Sequence, residues 1–279
     1  MRPRDVFFST VPVYYIRANV SRLEKSFRWQ KPVEGPVEGI LFLQVGGEGL
    51  NLVPVGEGLD LSFEAPYTVP DEMGRIDRHV PPHFISLQER LEVLQGEVTP
   101  HGAKVSFSLE MGQVGPDVEL AWCAYAPPIL QVFGQSCPFR YTQGFASLKE
   151  VASWAREHAQ EAEEEGRFFD ESIADNSLGS TFTHLLGQTF HSWLINTWWV
   201  KRPNGAEWFS VWEGSCYYHS TVDVEFTQGP FYLTLWPELL AMELDEWPDF
   251  AKPGERCLGE RGRGTLFLSH DMGSMAFCG

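Results

Sequence analysis

The side chains best suited to chemistry gather between Glu207 and Asp223, in the run Glu-Trp-Phe-Ser-Val-Trp-Glu-Gly-Ser-Cys-Tyr-Tyr-His-Ser-Thr-Val-Asp. Glu213 stands between Trp212, a wide aromatic, and Gly214, which lets backbone or ligand come close. Asp223 follows Ser220-Thr221 and opens an apolar stretch, where a loop becomes a helix. Two carboxylates beside a loop rich in Trp and Tyr suit a sugar, whose C–H faces stack on aromatic rings while its hydroxyls seek ionic partners. Seven of the ten tryptophans fall between Trp193 and Trp247, and Trp212, Trp198 and Tyr218 are the expected walls and rim. A plainer reading, a Trp-rich core with Glu213 at its wet edge, fits the same residues, and local chemistry leaves both open.

Four segments in order sharpen the choice: Leu-Ile-Asn-Thr-Trp-Trp-Val (194–200), Phe-Ser-Val-Trp-Glu-Gly (209–214), Ser-Thr-Val-Asp-Val (220–224) and Leu-Ser-His-Asp-Met-Gly (268–273). Over residues 175–279 they resemble the first part of the catalytic domain of retaining β-glycosidases with an (α/α)6 toroid, such as glycoside hydrolase families 116 and 52. The resemblance implies Glu213 as nucleophile and Thr221, Asp223, His270 and Asp271 as sugar-binding groups, with a β-glucoside or β-xyloside as substrate. It places the acid/base on an Asp beyond Gly279, and it assigns Asp271, the other acid in a motif, to substrate binding. A nucleophilic carboxylate must stay ionised, and desolvation by Trp212 alone would oppose that, so nearby donors are needed. Ser215, Tyr217, Tyr218 and His219 are the candidates. Two other readings stay open: a non-catalytic carbohydrate-binding or structural module, and a glutaminase-like toroid hydrolase.

The formal net charge of −17, from 38 acids against 21 bases, would repel nucleic acid and anionic membranes over most of the surface. A neutral oligosaccharide or β-glycoside is the expected partner, and the oligomeric state is left open. No cofactor and no metal are called for: the five cysteines are scattered, and His184 and His191, seven apart, read as ordinary helix residues. With no apolar signal core after Met1, a reduced cytoplasm is the expected location.

The elements that must position Glu213 read as an α+β multidomain chain: an antiparallel β-sandwich over 1–134, a linker over 135–146, and the first helices of an incomplete (α/α)6 toroid over 147–279. Ile40–Val45 reads as a buried strand, Leu50–Val55 as an edge strand because of Pro54, and Val105, Phe107, Leu109 and Met111 as one face of a half-buried strand. That strand and Val118–Trp122 are expected to pair as a hairpin about the turn 112–117. Ser147 and Glu150 have capping-box spacing for a helix that ends at the acidic run Glu163–Glu165 and Gly166. A second helix is expected from a cap in 175–177 to Thr197, then a β-arm over Trp208–Trp212 delivering Glu213, a helix over 222–235, and one from Pro237 to Trp247-Pro248. About four helices are legible after residue 147 where a closed toroid needs about a dozen, so the chain reads as truncated at its C-terminus and inactive alone.

Overall fold

Residues 4–22, 35–67, 83–175, 177–213, 218–274 and 276–279 are described by the structure, a computed structural model. After a single-turn helix α1 (Val6–Thr10), the first part of the chain is strand: β1 (Val13–Asn19), β2 (Val37–Gln44), β3 (Asn51–Val55), β4 (Gly58–Tyr67), β5 (His83–Gln95), β6 (Glu97–Thr99), β7 (Gly102–Leu109) and β8 (Asp117–Tyr125). They make a five-stranded antiparallel sheet in the order β1-β8-β5-β4-β3 and a three-stranded one in the order β2-β7-β6. Alternation sends every second side chain inward. Leu59, Leu61, Leu91, Val118 and Leu120 of the larger sheet thus share one core with Leu41, Leu43, Ala103 and Val105 of the smaller.

Pro54 lies on the edge strand β3, as its missing N–H requires. Two expectations need correction. Ile40 and Phe42 are half exposed, because β2 belongs to a sheet covered on one face, and only Leu41 and Leu43 turn inward. Nor do β7 and β8 form a hairpin: β7 pairs with β2 and β6, β8 with β1 and β5, and the intervening turn carries the chain from one sheet to the other. Alternation flanking a turn is common to both arrangements, so the pattern does not distinguish them.

Beyond β8 come β9 (Leu130–Val132), β10 (Gln135–Cys137), helices α2 (Leu148–Glu157), α3 (Ala159–Ala174) and α4 (Ser180–Ile195), the strands β11 (Thr197–Lys201) and β12 (Glu207–Val211), helices α5 (Val222–Leu235) and α6 (Pro237–Phe250), then β13 (Lys252–Pro253), α7 (Glu255–Leu258), β14 (Leu266–Phe267), β15 (Gly273–Ser274) and β16 (Phe277–Cys278). The described chain is therefore α+β, with mostly antiparallel strand pairing and seven α-helices. The segment read as a linker carries β10, which pairs with β9, and β9 in turn runs parallel to β16.

Ser147 caps the helix, its Oγ accepting from Glu150 N at 3.3 Å, while Glu150 Oε2 reaches back one residue past the cap and accepts from Ala146 N at 2.8 Å. The helix does not end at Gly166. It breaks at His158, whose ring stacks on Trp154, and α3 then runs through the acidic stretch to Ala174. Glutamates favour helix and one glycine costs only about 1 kcal/mol, too little to stop it. α4 starts at Ser180 behind Gly179, whose φ of 86° turns the chain, rather than at a cap in 175–177, and Thr197 already belongs to β11. α6 runs past Pro248 to Phe250.

A second core anchors the β11–β12 pair. Leu130, Val132 and Cys137 pack with Val200 and Trp208 of that pair, Trp247 and Phe250 of α6, and Met272 and Cys278 near the C-terminus. Val200 and Trp208 are fully buried, so the strand leading to Glu213 is rooted in apolar packing. Among the described residues no helix is long and apolar enough to cross a membrane.

Candidate active site

The β11–β12 hairpin keeps register from Thr197 opposite Val211 to Lys201 opposite Glu207, around a turn in which Asn204 Oδ1 accepts from Ala206 N and Gly205 adopts a φ of 88°. Past Val211 the chain doubles back. Trp212 bridges His219, Glu213 N donates to Tyr218 O at 2.8 Å, and Ser220 N donates to Val211 O at 2.9 Å. Glu213 thus sits half-buried where these two arms meet, and residues 214–217 lie outside the described residues. Its Oε2 accepts from the hydroxyl of Thr221 at 3.1 Å, and Thr221 is itself buried.

The segment 268–273 reaches the same place through the backbone. Val222 N donates to His270 O, His219 N to Gly273 O and Met272 N to His219 O, all near 3.0 Å, and Tyr218 bridges Ser274. Gly273 is required there: at a φ of 147°, an added Cβ would lie 2.2 Å from Phe277 O. Asp271 Oδ1 accepts from Gly273 N at 2.9 Å, while its Oδ2 lies 3.2 Å from His270 Nδ1. His270 Nε2 is 4.0 Å from Asp223 Oδ1, and both side chains are largely exposed.

The residues singled out in the sequence therefore form two groups on one backbone framework. In one, Glu213 is held by Thr221 beside Trp212, which meets Trp198 edge-on at 5.8 Å. In the other, His270 lies close to both Asp271 and Asp223, with Tyr218 edge-on to His270 at 5.6 Å. Among the described residues the side-chain donor to Glu213 is Thr221. Ser215 and Tyr217 lie outside the described residues, Tyr218 offers its carbonyl, and the His219 ring is fully buried among Trp198, Trp208 and Trp212 with Nδ1 2.8 Å from Ser210 Oγ.

Beneath this framework lie three buried carboxyls that residue types alone did not single out: Glu225 on α5, Glu243 and Glu246 on α6. Glu246 Oε1 accepts from Phe209 N at 2.9 Å, yet burial pushes its carboxyl up to about 9. Glu225 and Glu243 are both raised, first by burial, and each influences the other. As two carboxylates they could only repel, whereas a proton on one makes it a donor to the other. Ser220 Oγ donates to Glu243 Oε1. A signal was available: Leu239, Glu243, Glu246 and Phe250 fall at helical spacing on one buried stripe.

No three or more His, Cys, Asp or Glu among the described residues are arranged to hold a metal. A half-buried carboxylate with a hydroxyl donor can attack a carbon electrophile or grip a sugar hydroxyl. The model of glycosyl hydrolase family 52 matches residues 87–277, from within β5 through β16. That is well over half of the sequence, and the chain belongs to glycosyl hydrolase family 52. It is a glycosidase. A search of curated proteins returns no match to the chain.

Proposed function

We propose that this chain carries the nucleophile side of a retaining, exo-acting β-glycosidase of the β-glucosidase or β-xylosidase type, with Glu213 as nucleophile. The observation that carries this reading is the Thr221 hydroxyl donating to Glu213 Oε2, since a donor favours the ionised form that attacks C1. Asp223, His270 and Asp271 then bind sugar hydroxyls, with Trp198, Trp212 and Tyr218 around the ring. In a retaining mechanism the second carboxyl stands about 5–5.5 Å from the first, and the resemblance assigns it to an Asp C-terminal to Gly279. In domain terms the reading is a sandwich over 1–134, a connection over 135–146 and toroid helices over 147–279. Support comes from the two sheets sharing one core, the helices after Ser147 and the family match.

The test is chemical rescue in the complete gene product. Glu213→Gly should abolish hydrolysis of an aryl β-glycoside, and added azide should restore aryl release with formation of the α-glycosyl azide. Rescue giving the β-azide, or a Glu213→Gly enzyme of normal activity, contradicts the assignment.

A further inference from the structure

Ser220 and Thr221 are consecutive, and their hydroxyls point to two different acids: Thr221 Oγ1 donates to Glu213 and Ser220 Oγ donates to Glu243. Ser220 has a φ of 47°, a left-handed conformation that a non-glycine residue holds only when its surroundings fix it. Three contacts do so here: its N–H on Val211 O, its hydroxyl on Glu243, and the full burial of the residue. Glu243 is wholly buried, with one oxygen on Ser220 and the other without a hydrogen-bonded partner, and Glu225 beside it has neither oxygen so paired. Such a group is costly to bury and would be better replaced by an apolar one if stability were its only purpose.

We infer that Glu243, through Ser220, is a positioning residue for the nucleophile: the bond from helix α6 fixes the left-handed turn at 220, and that turn aims the Thr221 hydroxyl at Glu213. The inference rests on Glu213 being the nucleophile. Nothing in it requires Glu243 to touch substrate, so its removal acts on the chemical step rather than on sugar binding.

The experiment uses the complete gene product and first labels the wild type with an activated 2-deoxy-2-fluoro-glycoside. If the label does not fall on Glu213, the functional reading fails before the inference is reached. With Glu213 labelled, Glu243→Leu should slow glycosylation by about 30-fold with KM changed less than about threefold, and with an unfolding midpoint equal to or above that of the wild type. Glu243→Gln keeps an acceptor for the Ser220 hydroxyl and should recover the rate to within about fivefold of wild type. Ser220→Ala should reproduce the loss, and the double variant Ser220→Ala/Glu243→Leu should be no slower than either single one, because both break one connection. Should Glu243→Leu fail to fold, Ser220→Ala carries the test alone. A wild-type glycosylation rate in Ser220→Ala, losses that add in the double variant, or Glu243→Gln as slow as Glu243→Leu would each overturn the inference.

Discussion

The Thr221 hydroxyl lies 3.1 Å from Glu213 Oε2, although eight residues separate the two in the chain. The contact exists because Trp212 bridges His219 and Ser220 N closes onto Val211 O, folding the loop so that its two ends face each other. A hydroxyl on a carboxylate is worth about 1.5–3 kcal/mol, more than one exposed pair would give. Thr221→Val keeps the shape and removes the donor. The expected result is a loss of about 10–100-fold in kcat/KM on an aryl β-glycoside, read by steady-state kinetics.

The buried acids on α6 give a pH dependence of stability. The carboxyl of Glu246 is ordinary in the unfolded chain and pushed up to about 9 by burial in the folded one. Its contribution is therefore complete below the ordinary carboxyl range and is lost as pH rises toward 9, because the folded state then holds a proton that the unfolded state has released. The slope from one such group is at most about 1.4 kcal/mol per pH unit. Glu246→Gln retains an acceptor for Phe209 N and should flatten the fall in unfolding free energy between pH 5 and 9. Denaturant titrations of both proteins across that range check it, and parallel curves would contradict it.

Gly273 has no room for a side chain against Phe277 O, and its carbonyl receives His219 N. Gly273→Ala should force β15 and β16 apart and separate the His270 segment from the Glu213 loop. A destabilisation of about 3 kcal/mol or more is expected, measured by chemical unfolding.

Asp271 holds the turn at Gly273 with one oxygen and faces His270 with the other. Asp271→Ala removes both contacts and, on the functional reading, a grip on the sugar. KM should rise about tenfold or more with a smaller change in kcat, and a fall in kcat alone would speak against a binding role.

Much of this framework was legible in the sequence. Pro54 marked an edge strand, the Ser147–Glu150 spacing marked a cap, and the β-arm expected over Trp208–Trp212 is the second strand of the hairpin that leads to Glu213. The hairpin expected between β7 and β8 failed because alternation does not say which neighbouring strand is free to pair. At the site, the family resemblance of four short segments grouped Glu213, Thr221 and the 268–273 segment, and the backbone bonds from Val222 and His219 tie the latter two. The bond from Thr221 to Glu213 was not legible, since it depends on the chain folding back so that residues eight apart meet. The left-handed turn at Ser220 was equally hidden: only its surroundings hold a serine at that φ.

The central claim is that the Glu213 carboxylate attacks the anomeric carbon. An activated 2-deoxy-2-fluoro-β-xyloside or β-glucoside should inactivate the complete gene product with one equivalent of aryl leaving group released. Peptide mapping by mass spectrometry should then find the fluorosugar on Glu213. A label on any other carboxylate, or full turnover by a Glu213→Gln enzyme, would contradict the account.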